Sequence, residues 1–239
     1  MHYEAYWGLK TAPFENVPDS TFYFPSRKHE EGLQRLLYGV EARKGAVLLT
    51  GEVGCGKTTL SRLFVQRLAH DRYDVALIAN PSIDSQDFLG EILYQLGVTA
   101  TASKLDRLHQ LNEHLLDNLK LEKETVLIID ESQDLTPKTL EQIRLLSNLE
   151  TNREKLIQIV LVGQPELSDR LAGDTRLRAL HQRIAVRYHI QPLAPEEVAA
   201  YIADRLKTAG ATKPPEFTAE ALEEIADLSG GFPRRINLL

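Results

Sequence analysis

Short runs of consecutive apolar residues alternate along this chain with longer segments in which apolar residues recur every three or four positions. A short apolar run is typical of a strand buried on both faces of a parallel sheet, and the longer period is typical of an amphipathic helix. Strands that alternate with helices in this way predict an α/β fold, with a five-stranded parallel sheet flanked by helices. The predicted strands are residues 46–49, 75–79, 126–129, 156–162 and 185–190, and the predicted helices are 27–42, 59–69, 84–96, 105–121, 137–148 and 165 to about 182.

The pattern changes near residue 192. Pro192 and Pro195 interrupt it, and helices are then predicted at 196–209 and 218–228, the second with Thr218 as its N-terminal cap. A Gly-Gly-Phe-Pro-Arg-Arg segment at 230–235 opens a third helix that the chain barely begins. We therefore expect two units, an α/β domain at 1–192 and a small helical domain at 193–239 that looks truncated.

The first 27 residues form a third kind of segment. They are rich in aromatic residues and are interrupted by Pro13, Pro18 and Pro25, which excludes a long helix. We expect an ordered arm that packs across the α/β domain. Tyr23 and Phe24 are candidates to wall a nucleotide base, and plain core packing is an equally good interpretation, because aromatic side chains mostly serve as apolar mass.

The composition limits the class of protein. Of the 239 residues, 43% are hydrophobic and 26% are charged, which is ordinary for a soluble globular protein. No apolar run approaches the roughly 18 residues that span a bilayer, and no signal peptide is recognisable. The single cysteine, Cys55, allows no intrachain disulfide, as in a reducing compartment. We expect a cytoplasmic protein, or the cytoplasmic part of a membrane-associated one.

The net charge of −6 argues against a generally basic nucleic-acid binder, although it leaves room for a local basic patch. Only short basic clusters are present: Arg27 with Lys28, Arg153 with Lys155, and Arg234 with Arg235. Each such cluster is more often a solvated surface than a binding site.

The segment Gly-Glu-Val-Gly-Cys-Gly-Lys-Thr at 51–58 matches the phosphate-binding loop G-x-x-x-x-G-K-[ST]. It lies between a predicted strand and a predicted helix, so its backbone N–H groups and the helix dipole would face phosphate oxygens. Lys57 would reach the β- and γ-phosphates, and the Thr58 hydroxyl would bind Mg²⁺. Cys55 is better explained as a small loop residue than as a nucleophile. The predicted ATP-binding residues are Gly51, Glu52, Val53, Gly54, Cys55, Gly56, Lys57, Thr58, Thr59 and Asp130.

Two acidic residues, Asp130 and Glu131, follow the apolar run 126–129. The carboxyl end of such a strand lies beside the phosphate loop in open α/β sheets. We expect Asp130 to orient Mg²⁺ through a water ligand and Glu131 to act as the general base on the attacking water. If Glu131 stood alone, an ordinary solvated carboxylate at the start of a helix would be the better interpretation. Because it directly follows Asp130, the general base is the better one.

This arrangement resembles the AAA+ ATPases, a class of P-loop NTPases, from Tyr3 to the end of the chain. The resemblance implies sensor 1 at Gln164, an arginine finger at Arg183 with Arg178 as the alternative, and sensor 2 at Arg234 in the helical lid. It also places a polar switch at Asn80, where a simple helix cap fits equally. The other interpretations are a turn or cap residue for Gln164 and surface charges for the two arginines. A finger acts on a neighbouring subunit, so a ring or helical homo-oligomer is implied.

Finer motifs resemble the general secretion pathway protein A family: Tyr-x-x-Tyr-Trp-Gly-Leu-Lys-x-x-Pro-Phe at 3–14, Asp-Glu-Ser-Gln-Asp-Leu at 130–135 and Val-Gly-Gln-Pro-Glu-Leu at 162–167. This implies a Mg-dependent ATPase acting on a secretin or type IV pilus complex, with a membrane-anchored partner. Full-length relatives often add a membrane helix and a peptidoglycan-binding region.

Transposon-encoded AAA+ regulators share much of the same pattern and imply the alternative, ATP-dependent filaments on DNA. For that alternative, Lys104 and Arg107 would have to face a pore. A nucleotide-binding scaffold without turnover is disfavoured by the intact Asp130 and Glu131.

Overall fold

The sheet is all-parallel and holds its strands in the order β2-β3-β4-β1-β5. The computed structural model describes residues 3–79, 81, 87–152 and 154–239. The strands are β1 (Ala46–Gly51), β2 (Tyr73–Ile78), β3 (Glu124–Ile129), β4 (Ile157–Gly163) and β5 (Ile184–Ile190). The predicted fold class, a five-stranded parallel sheet flanked by helices, is thereby confirmed.

Helices connect the strands and complete the chain. They are α1 (Tyr3–Trp7), α2 (Arg27–Glu41), α3 (Lys57–Arg67), α4 (Phe88–Gln95), α5 (Lys104–Lys120), α6 (Pro137–Leu146), α7 (Pro165–Gly173), α8 (Arg178–Arg183), α9 (Pro195–Thr208), α10 (Ala219–Ser229) and α11 (Pro233–Ile236), with 3-10 turns at Ser20–Phe22, Ser132–Asp134 and Thr175–Leu177. As predicted, Thr218 caps α10 by accepting a hydrogen bond from the Ala221 N–H. Among the described residues, no helix is both long enough and apolar enough to cross a membrane.

The prediction of one helix from 165 to about 182 is wrong, because the segment breaks at Asp174. The Asp174 backbone is extended (φ −86°, ψ 113°), and its carboxylate accepts hydrogen bonds from the Arg176 N–H at 2.9 Å and from the Arg176 guanidinium at 2.7 Å. A short acidic side chain that binds nearby backbone N–H groups competes with the helix. The first residues of the helix predicted at 84–96 lie outside the described residues.

The central strands β1, β3 and β4 are buried along their whole length, which explains their continuous apolar runs. Alternate residues contribute to two cores. Leu48 and Ile159 belong to the core that includes apolar residues of α4 to α8, whereas Val47 and Val160 belong to the core with α2 and α3. The strand β5 is at one edge of the sheet: its two end residues are buried, and exposed and half-buried residues alternate between them.

The arm does not simply lie across the α/β domain as expected, because much of it packs against the C-terminal helices. Leu9, Phe14 and Phe24 join the apolar cluster of α9, α10 and α11. The Lys10 N–H donates to Ala209 O at 2.8 Å, and the Arg205 guanidinium donates to Glu15 O at 3.0 Å. Three short helices leave apolar surface that needs cover, and the arm supplies it. The part of the arm that reaches α3 is residues 18–22, where Arg62 donates to Pro18 O and Gln66 donates to the Ser20 hydroxyl at 2.9 Å.

We expect Gly231→Ala to destabilise the protein. Gly231 has a left-handed backbone (φ 73°), and an added Cβ would lie 2.1 Å from Leu193 O. The backbone strain alone is worth about 1–2 kcal/mol, so the melting temperature should fall by at least about 2 °C. The fall in melting temperature is measured by thermal unfolding. Gly173→Ala is the control, since an added Cβ there meets nothing within 4 Å; equal melting of both variants would contradict the prediction.

Candidate nucleotide-binding site

The loop between β1 and α3 has the glycines that its shape requires. Gly54 and Gly56 both have left-handed backbones, with φ of 84° and 86°. An added Cβ would lie 2.8 Å from the Arg234 Cβ at Gly54 and 3.1 Å from the His29 Nε2 at Gly56. Larger residues are therefore excluded on both steric and conformational grounds. The loop ends at the first turn of α3, where free helix N–H groups favour an anion.

Lys57 places a buried positive charge inside this loop. Its ammonium donates to Gly51 O at 2.8 Å and Glu52 O at 2.9 Å, and the residue is 6% exposed. Two carbonyl oxygens satisfy donors but do not neutralise the charge. A buried cation is stabilised when an anion binds beside it.

Asp130 and Thr58 meet at the end of β3. Asp130 is 2% exposed, and its carboxylate accepts a hydrogen bond from the Glu131 N–H at 2.9 Å. Burial raises the pKa of Asp130, and the charge of Glu131 acts in the same direction; the Glu131 N–H, the Thr58 hydroxyl and the Lys57 charge act in the opposite direction. The sheet thus brings together the hydroxyl and the carboxylate that the sequence assigned to Mg²⁺. Magnesium usually takes only one or two protein oxygens besides phosphates and waters, so this pair fits it.

Glu131 stands beside the same cleft on a strained backbone. It has a left-handed conformation (φ 49°, ψ 37°), which is uncommon for a residue other than glycine and is often found at functional sites. Its Oε2 accepts a hydrogen bond from the Gln133 amide at 2.8 Å. Gln133 was not predicted as a site residue, although it lies within the motif at 130–135.

Gln164 precedes α7 and also lines the cleft. Gln164 occupies the N-cap position of α7, as the cap interpretation requires, although its side chain makes no capping hydrogen bond to the helix. Its backbone N–H instead donates to the Gln133 Oε1 at 3.0 Å. The ends of β3 and β4 therefore bring Glu131 and Gln164 to one place, as expected for adjacent parallel strands.

The cleft between these elements has a volume of about 300 Å³. The phosphate loop and α3 form one side, the strand ends form another, and the arm and C-terminal helices close it. The residues from the arm and C-terminal helices are Glu15, Asn16, Val17, Pro18, Tyr201, Arg205, Pro233, Arg234 and Asn237. Sequence reasoning identified only Arg234 among them, because the others carry no motif.

Arg234 contacts the phosphate loop directly. Its N–H donates to Gly54 O at 3.3 Å, while its side chain is exposed at the cleft. The start of α11 is thus attached to the loop that would hold phosphates.

A smaller cavity of about 60 Å³ continues from the cleft and shares Thr59 and Tyr201 with it. Tyr23 and Phe24 line it, as the base-walling interpretation requires, and Phe24 also packs edge-on against Tyr201 with ring centroids 5.7 Å apart. Burial raises the pKa of Tyr23, whose hydroxyl donates to Glu30 at 3.0 Å. Phe24 therefore does both things that were considered for it: it lines a cavity and it packs in an apolar core.

His29 supports the loop from α2. Its Nε2 lies 2.7 Å from Cys55 O and its Nδ1 lies 2.6 Å from the Ser26 hydroxyl. A carbonyl can only accept, so Nε2 carries the hydrogen and Nδ1 accepts from Ser26. Burial lowers the pKa of His29 and raises that of the Cys55 thiol to about 11. Cys55 is therefore a thiol at neutral pH and serves the loop as a small buried residue.

Two other positions selected from the sequence, Arg178 and Arg183, lie apart from the cleft. Arg183 ends α8 and donates to Ser147 O at 3.4 Å, and Arg178 is exposed at the start of the same helix. Neither lines the cleft of its own chain. Asn80, the candidate switch, lies outside the described residues, as does Arg153 of the basic clusters.

A protein-family model for the AAA domain matches residues 40–171, more than half of the chain. The fold is similar to two archaeal structures: the Aeropyrum pernix ORC2 protein in its ADPNP-ADP complexes (TM-score 0.68, 18% identity, 96% of this chain and 64% of that chain), and Cdc6p of Pyrobaculum aerophilum (TM-score 0.65, 22% identity, 92% and 63%). The chain belongs to the AAA domain family and has the fold of its P-loop ATPases.

Within that family, the expected resemblance to general secretion pathway protein A is confirmed. The protein of that name from Aeromonas hydrophila is 44% identical over 239 residues, which cover 99% of this chain and 43% of that relative. The chain therefore spans less than half the length of the curated relative that it matches.

Proposed function

We propose that this chain binds ATP with Mg²⁺ and hydrolyses it to ADP and phosphate. The observation that carries the proposal is that the buried cation Lys57, Thr58 and Glu131 line one cleft, with the buried carboxylate of Asp130 directly before Glu131 at the end of β3. In this proposal Thr58, and Asp130 through water, hold Mg²⁺, which when bound neutralises charge on the phosphates and on the leaving group.

The protein's own residues divide the remaining work. The loop N–H groups and Lys57 bind the phosphates, and Glu131 accepts the proton of the attacking water. Gln164 orients that water or the γ-phosphate from the opposite strand end. Arg234 couples the nucleotide to α11, because its backbone is bonded to the loop. The cavity at Tyr23 and Phe24 takes the base.

We further propose that the hydrolysis drives assembly or remodelling of a secretin or pilus complex through a membrane-anchored partner, on the cytoplasmic side. The support is the 44% identity to general secretion pathway protein A. The DNA alternative has less support: Arg107 is 18% exposed and lies 3.5 Å from the Asp87 carboxylate, so one of the two basic residues that it needs is already partly engaged.

The test is the ATPase rate and particle size of the chain with Mg²⁺, with EDTA, and with double-stranded DNA at low and physiological salt. Hydrolysis that requires Mg²⁺ and ignores DNA supports the proposal. DNA-stimulated, salt-sensitive turnover with filaments would replace the secretion role by the DNA-binding one, because phosphate contacts carry such salt dependence. Absence of hydrolysis under all conditions would refute ATP turnover.

Arg183→Ala should lower hydrolysis by about 10³-fold without weakening ATP binding, if the active species is a homo-oligomer in which Arg183 reaches the neighbouring subunit. Mixing it with Glu131→Gln protomers should restore part of the activity, because one kind of interface then has both groups. Arg178→Ala, on the same helix, is the matched comparison. If Arg178→Ala is inactive and Arg183→Ala is not, the finger is Arg178; if neither loses activity, the finger assignment fails.

A further inference from the structure

We propose that Gln133 is a positioning residue that holds the Glu131 carboxylate in place for proton transfer and ties it to the start of α7. The inference deepens the proposed ATP hydrolysis and rests on it. Gln133 lies in the 3-10 turn Ser132–Asp134 directly after Glu131, and its side chain is partly buried between the ends of β3 and β4.

The two ends of the Gln133 amide have different partners. Its Nε2 lies 2.8 Å from the Glu131 Oε2, and its Oε1 lies 3.0 Å from the Gln164 backbone N. A backbone N–H can only donate, so the oxygen of the amide must face Gln164. The NH₂ group therefore faces Glu131, which accepts as a carboxylate. The donor and acceptor roles of the two partners therefore fix which end of the Gln133 amide is the oxygen and which is the nitrogen.

This hydrogen bond restrains the Glu131 carboxylate but leaves it able to accept a proton. It engages one carboxylate oxygen, and the other can accept a proton from water at the cleft. Glu131 otherwise rotates about its side-chain bonds from a strained backbone, and a displacement of about 1 Å can cost about 100-fold in rate. A donor held by its own second hydrogen bond removes that freedom.

The surrounding contacts hold Gln133 itself. Arg170 on α7 donates to Gln133 O at 3.3 Å and to Leu135 O at 2.8 Å, which clamps the turn against α7. At Gly163 an added Cβ would lie 3.0 Å from the Gln133 Oε1, so glycine is what allows the amide to approach β4. The turn, the end of β4 and the start of α7 therefore form one bonded unit around Glu131.

Gln133→Met tests the inference, because methionine keeps the length of the side chain but loses the amide. We expect kcat for ATP to fall by about tenfold or more, while the ATP dissociation constant and the melting temperature stay within about twofold and about 2 °C of the unchanged protein. The matched control is Gln95→Met, which removes a Gln–Glu bond of 2.8 Å within α4, far along the sequence from the site.

A second comparison separates positioning from folding. If Gln133 acts through Glu131, Gln133→Met should change the residual single-turnover rate of Glu131→Gln by less than about twofold, because coupled residues are not additive. An additive loss, or a parallel loss of ATP affinity, would assign Gln133 to the structure of the turn and overturn the inference. Unchanged kcat in Gln133→Met, with Glu131→Gln inactive, overturns it while the proposed function stands. No turnover in the unchanged protein overturns both.

Discussion

Replacement of Lys57 by alanine is expected to abolish ATP binding. The Lys57 ammonium is buried in the phosphate loop, where two backbone carbonyls are its hydrogen-bond partners. Lys57 is therefore the positive side chain of the phosphate loop that is placed to neutralise the phosphates. Its removal should raise the dissociation constant for ATP by about 100-fold or more, since removing one partner of a buried charge pair costs about 3–5 kcal/mol. Equilibrium titration with a fluorescent ATP analogue measures this.

Thermal unfolding gives an independent measure of the same variant. ATP at about 100 times its dissociation constant should stabilise the unchanged protein by about 2.7 kcal/mol and Lys57→Ala by no more than about 0.4 kcal/mol. Lys138→Ala, at an exposed position on α6, serves as the control and should respond to ATP as the unchanged protein does. Micromolar ATP binding by Lys57→Ala would contradict the assignment of the loop.

Replacement of Glu131 by glutamine is expected to preserve ATP binding and to lower hydrolysis by about 10²- to 10⁴-fold, the usual contribution of a general base. Glutamine has nearly the same shape and can still accept the hydrogen bond from Gln133, but it cannot accept the proton of the attacking water. Steady-state release of phosphate and the ATP dissociation constant, measured on the same sample, check both halves of the expectation.

Glu122→Gln is the matched control for this variant. Glu122 is an exposed glutamate that also has a left-handed backbone (φ 57°), but it precedes β3 at the opposite end of that strand. The replacement therefore reproduces the loss of charge and the unusual backbone without touching the cleft, and it should leave the rate unchanged. An unchanged rate in Glu131→Gln would show that another group activates the water.

The two variants together separate binding from chemistry. Lys57→Ala should lose affinity and, as a consequence, turnover, whereas Glu131→Gln should lose turnover alone. If the protein binds ATP through this loop but does not hydrolyse it, Lys57→Ala will still lose affinity. The unchanged protein will then have no measurable rate with which Glu131→Gln can be compared.

The fold class and the position of the cleft could be predicted because their signals are local. The phosphate loop is one continuous segment between a strand and a helix, and Asp130 and Glu131 follow a continuous apolar run. In a parallel sheet the carboxyl ends of adjacent strands meet at one edge. Once the strands were identified in the sequence, these segments were therefore expected to lie close together. The break at Asp174 was not predicted, because helical periodicity continues across it. The helix ends there because the Asp174 side chain accepts a hydrogen bond from the Arg176 N–H.

By itself, then, the sequence determined the parallel sheet, the loop, the acidic pair and the family resemblance, since each is encoded by neighbouring residues. The tertiary structure decided which remote segments close the cleft: the arm on α9, the Arg234 contact with Gly54, and the His29 bond to Cys55. It also decided that the Gln133 amide joins Glu131 to Gln164. Such contacts link residues far apart in the chain or depend on a single side-chain orientation, and packing selects them without leaving a periodic signal in the sequence.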